Sequence, residues 1–90
     1  MNVSVLPGAE LVEPGLQDLA AGTESVESLL VSIASENLRE LGLEVPPAFD
    51  EPEMRLYRLL ARDDEDSAHG RYNAFVRRLV SFERALACVR

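Results

Sequence analysis

The chain has 90 residues, 16 of them acidic and 9 basic, for a net charge of −7; 47% are apolar and 28% charged. That length supports one domain with a single modest core, and the apolar fraction is too high for an intrinsically disordered chain. The negative balance disfavours phosphate backbones as partners at long range, and no apolar run approaches the roughly 20 residues of a bilayer span, so no membrane-spanning helix is expected.

Val3, Val5 and Leu6 precede Pro7-Gly8, which predicts that residues 1–12 form an extended arm, flexible or draped over a helical domain made by residues 13–90. Pro14 and Gly15 introduce Leu16, Leu19 and Ala20 at helical spacing, with Gly22 as the stop, so a short helix is predicted over about 14–21. Thr23 is the expected cap of the next helix, over about 24–41, and Gly42-Leu43 has the form of a Schellman stop. Val26, Leu30, Ile33, Ala34, Leu38 and Leu41 share one face of it.

Val45-Pro46-Pro47-Ala48-Phe49 is a stiff connector, because proline donates no backbone hydrogen bond and restricts the residue before it. Asp50 and Glu53 have the spacing of a capping box around Pro52, opening a helix predicted over about 51–62. The run Asp63-Asp64-Glu65-Asp66 suits the start of a helix and not the end of one, so it marks a loop. Ser67 then caps a last helix over about 68–89, on which Tyr72, Phe75, Leu79, Phe82, Leu86 and Val89 recur every three or four residues.

These segments predict an all-α fold: a small antiparallel helical bundle of three main helices plus the short N-terminal one. At 1.5 Å per residue the last helix is ~33 Å long and the middle one ~18 Å, too short to cover it. Either the N-terminal segment or a second copy of the chain must then fill the remaining groove, since a bare strip of Phe and Leu is a liability in water. Tyr72, Phe75, Leu79, Phe82 and Leu86 are therefore the candidate interface for a partner protein or a homodimer.

Charge is unevenly spread: residues 1–66 hold four Arg against fifteen acidic residues, net −11, while residues 67–90 hold five Arg against Glu83, net +4. Arg77 and Arg84 lie away from the apolar seam, with Arg71 and Arg78 on its flank. Arg55, Arg58 and Arg62 fall on one narrow side of the middle helix, where guanidinium groups can grip carboxylates or phosphates bidentately or simply face solvent. Asn37 and Glu83 stand inside otherwise apolar arcs and each needs a partner if buried.

No reaction chemistry is legible. Asp63 to Asp66 with His69 match no calcium loop, and His69 lacks a second His or Cys for zinc. A single His, isolated glycines and no Gly-x-Ser-x-Gly leave neither a nucleophile nor a phosphate-cradling loop, and the lone Cys88 can form no internal disulfide. The expectation is a small cytoplasmic interaction or assembly module without catalytic activity, metal, cofactor or small-molecule ligand, working through its C-terminal helix. The alternatives are a nucleic-acid-associated regulator using the arginines of that helix, and a small carboxylate- or metal-dependent enzyme built around Glu83, Tyr72 and the Arg55 stripe.

Overall fold

A computed structural model describes residues 3–89. Among the described residues there are five α-helices and no strand: α1 (Ala9–Ala20), α2 (Val26–Ile33), α3 (Ser35–Glu40), α4 (Pro52–Asp63) and α5 (Ala68–Val89), preceded by a 3-10 turn at Val3–Val5. The expected all-α bundle is what forms. The central element is α2, which packs against α1, α4 and α5 and buries Leu29, Leu30 and Val31 completely. No described helix is long and apolar enough to cross a membrane.

The first helix begins at Ala9 and runs through Pro14, where the sequence predicts a start at residue 14. Leu11, Gly15 and Leu19 are spaced four apart and all buried, as is Val12. Burying Leu11 and Val12 stabilises by roughly 1.5–3 kcal/mol each. That outweighs the ~3 kcal/mol of an internal proline. Met1 and Asn2 of the expected arm lie outside the described residues. At the other end, Gly22 is left-handed (φ 74°), and the Thr23 amide donates to the Asp18 carbonyl at 2.8 Å. Thr23 thus completes the stop of α1, and the cap of α2 falls to Ser25, not to Thr23. Ser25 and Ser28 cap reciprocally: the Ser28 amide donates to Ser25 Oγ (3.0 Å) and the Ser25 amide to Ser28 Oγ (2.8 Å). Ser25 Oγ also donates to Asp18 at 2.8 Å, which ties the cap to α1.

The helix predicted over 24–41 is broken at Ala34 (φ −94°, ψ 7°) into α2 and α3. Ser32 Oγ donates back to the Ser28 carbonyl at 2.8 Å, a bond that bends helices, and accepts the Phe49 amide at 3.1 Å. The proline connector is thereby docked on α2, and Arg39 holds its other end by donating to the Val45 and Pro46 carbonyls. The Schellman stop forms as expected, with the Leu43 amide donating to the Leu38 carbonyl at 3.0 Å. The capping box at Asp50 does not form. Glu51 takes the cap position in a left-handed conformation (φ 48°), and Asp50 instead offers its carbonyl to Arg55.

The C-terminal seam closes inside the chain. Phe82 is fully buried, and Leu79 and Leu86 are each 1% exposed. The start of α1 approaches α5 so closely that a Cβ on Gly8 would lie 2.6 Å from the Arg78 carbonyl oxygen and 3.0 Å from Phe82 Cβ. The expectation that Leu79, Phe82 and Leu86 face a partner is therefore corrected: the N-terminal segment, and not a second copy, fills that part of the groove. Because α1 begins earlier than the sequence suggests, it reaches far enough to do so.

Candidate interaction surfaces

Beyond the stretch covered by α1, α5 passes α3 with only light packing between them. The space left open is a groove of about 410 Å³ with half-buried Ile33, Val76 and Val80 along its floor. It continues into a shallower recess of about 270 Å³ over Leu41, Val80 and Ala87. Glu36, Glu40, Asn37 and Glu83 form the rim. Asn37 Nδ2 donates to Glu83 Oε2 at 2.6 Å and so links the two walls. The two polar residues singled out in the sequence are thus each other's partner, with Asn37 exposed and Glu83 half-buried, and neither sits in the core. Glu36, Glu40 and Glu83 form no ion pair with any described residue.

A second surface lies where the start of α2 meets α4. Arg55, Arg58 and Arg62 line up along α4 and, with Ala61 and Glu24, enclose an open cleft of about 530 Å³. Glu24 accepts from Arg55 (2.7 Å) and faces Arg62 at 3.9 Å, while Arg58 pairs with no described residue. Arg55 is further held by the Phe49 ring, 5.0 Å beneath its guanidinium carbon. The stripe forms as its spacing predicts, and the acid that joins it is Glu24, thirty-one residues from Arg55.

Pairing on α5 is selective. Arg71 donates to Asp63 at 2.7 Å and Arg78 to Glu10, whereas Arg77 and Arg84 have no acidic partner among the described residues. The Arg78 guanidinium holds the Glu10 carboxyl below its ordinary range. Being depressed in the folded chain, Glu10 contributes stability that is present above its unfolded pKa and lost as pH falls through the folded one. Asp63 and His69 are occupied locally, the latter beside Asn73 at 3.2 Å, and no three His, Cys, Asp or Glu among the described residues could hold a metal. Cys88 is exposed.

Of the aromatic candidates, Tyr72 and Phe75 are half-buried, and Tyr72 meets Tyr57 of α4 with ring centroids 6.0 Å apart. Tyr57 and Met54 are the exposed large apolar residues of α4, at 42% and 48%. Burial, helped by the charge of Glu53, raises the Tyr72 phenol above the ordinary tyrosine range. A raised folded pKa means stability that is complete below the unfolded value and is lost as pH climbs through the folded one. Alkaline titration followed at the phenolate absorbance should therefore show Tyr72 ionising late, and Tyr72→Phe should remove that late step. Ionisation of Tyr72 within the ordinary range would contradict the packing described.

Comparison with protein-family models, with curated proteins and with solved structures finds no match to this chain. The two surfaces are accordingly judged by their own chemistry.

Proposed function

We propose that this chain is a non-catalytic interaction module whose groove between α3 and α5 receives a basic amphipathic helix of a partner protein. The observation that carries the reading is the combination in one groove of an apolar floor (Ile33, Leu41, Val76, Val80) with three carboxylates, Glu36, Glu40 and Glu83, that form no ion pair among the described residues. An amphipathic helix lays its apolar stripe on such a floor, and Lys or Arg flanking that stripe meets Glu36, Glu40 and Glu83. The C-terminal helix remains the contact element, through Val76, Val80 and Glu83 in place of its buried seam. A second copy fits less well, because two chains of net charge −7 repel.

The test is fluorescence anisotropy with an 18-residue Leu/Lys amphipathic peptide. Binding is expected to weaken roughly tenfold or more in Val80→Asp, which places a charge on the floor, and several-fold in Glu36→Gln/Glu40→Gln. Glu65→Gln, in the acidic loop far along the chain, should leave the affinity unchanged. Equal weakening by Glu65→Gln would show a purely non-specific attraction and overturn the reading. Light scattering supplies the other arm: concentration-dependent dimers abolished by Val80→Asp would put a second copy in the groove, against the partner-protein assignment.

A further inference from the structure

We infer that the cleft between α2 and α4 is a binding site for a small phosphoryl oxyanion of the diphosphate class, separate from the α3–α5 groove and independent of its role. Three guanidinium groups, Arg55, Arg58 and Arg62, face one carboxylate, Glu24, so the cleft carries a local excess of two positive charges on a chain that is otherwise strongly acidic. Such an excess of positive charge attracts an anion to the cleft. Glu24 itself shows where an anion sits: its two oxygens reach Arg55 at 2.7 Å and Arg62 at 3.9 Å, and the Arg58 guanidinium has no partner among the described residues.

Arg55 is positioned before any ligand arrives. Its guanidinium lies over Phe49, its Nε donates to Glu24 at 2.9 Å, and its Nη1 reaches the Asp50 carbonyl at 3.4 Å. Arg58 and Arg62 lie on the same side of α4, so their planar forks can close on oxygens presented beside Arg55. Planar, bidentate donors suit oxyanions better than a halide, and a local excess of two positive charges suits a multiply charged phosphoryl group better than a monocarboxylate. The cleft is open to solvent and, at about 530 Å³, has room for two linked phosphoryl groups.

Calorimetric titration of the full chain with inorganic pyrophosphate tests this, with arginine side-chain NMR resonances reporting the location. Saturable binding is expected, with the Arg55, Arg58 and Arg62 Nε–H signals moving and that of Arg77 still. Arg58→Gln, which removes a side chain with no partner among the described residues, should weaken binding about tenfold. Glu24→Gln should strengthen it several-fold by removing the competing carboxylate, an outcome that a merely structural Glu24–Arg55 pair would not produce. A parallel titration with adenosine diphosphate separates the two sources of the same chemistry: equal affinities assign the free anion, and tighter binding assigns a nucleoside-borne diphosphate with its organic part against Ala61. Absence of saturation by millimolar pyrophosphate in both the unmodified chain and Glu24→Gln, or equal movement of Arg77, would overturn the assignment.

Discussion

Gly15→Ala is expected to destabilise the fold by roughly 2–4 kcal/mol, a large share of the 5–15 kcal/mol on the order of which small domains are stable. At Gly15 a Cβ would press into the Glu27 carbonyl oxygen and lie 2.6 Å from Val31 Cγ2. The first obstacle is backbone of α2 and cannot rotate away, so relief requires the two helices to separate. That separation would uncover Leu11, Leu19 and the fully buried Leu29 to Val31 segment, the densest part of the core. Gly70→Ala is the matched control: it lies within α5 with nothing within 4 Å of its Cβ, so it should stabilise by about 0.5–1 kcal/mol through helix propensity alone. Urea denaturation followed by circular dichroism measures both. A loss under about 0.5 kcal/mol for Gly15→Ala would mean that α1 and α2 do not meet as closely as described.

Phe82→Ala carries the second large effect, a destabilisation of about 3–5 kcal/mol. Phe82 has no exposed surface, and the N-terminal end of α1 is pressed against its Cβ side. Removing the ring leaves a cavity between α1 and α5 that rigid helices collapse into only partly. Were Phe82 instead a partner-facing anchor, truncation would spare the isolated chain and diminish association. The contrast with Val80, two residues earlier on α5 and half-buried in the groove, makes the pair diagnostic. Phe82→Ala should lower the urea midpoint at every protein concentration, while Val80→Asp should leave it nearly unchanged. A Phe82→Ala chain as stable as the unmodified one would contradict internal closure of the seam.

Local signals were the legible ones. The three-four recurrence from Tyr72 to Val89 predicts α5 to within a residue, and Gly42-Leu43 and the acidic run mark real chain stops because each acts through neighbours a few residues away. Pro14 misleads because its usual place is a first turn, whereas here the burial of Leu11 and Val12 carries the helix through it. The break at Ala34 accompanies the Ser32 back-bond to the Ser28 carbonyl, and the Phe49 amide that docks on the same hydroxyl comes from seventeen residues away, with no trace in the helical pattern.

The same limit governs the candidate sites. The arginine stripe on α4 is visible from its spacing, but the acid it shares, Glu24, is fixed only by the packing of α2 on α4. Asn37 and Glu83 stand out individually as polar interruptions, and nothing local reveals that they bond to each other across forty-six residues. Periodicity likewise identifies an apolar seam without distinguishing closure by the chain's own N-terminus from closure by a partner. Ile33 belongs to the apolar face of the helical pattern, and nothing local shows that it lies half-buried in a groove with Val76 and Val80 of α5.

The most direct measurement is an amide chemical-shift map of the chain titrated with the Leu/Lys amphipathic peptide. Perturbations confined to residues 33–41 of α2 and α3 and 76–87 of α5, with α1 and α4 unmoved, are the expected result. Shifts centred on Leu79, Phe82 and Leu86 together with displacement of α1, or shifts spread evenly over every acidic segment, would contradict a chain that hides its own seam and offers the α3–α5 groove.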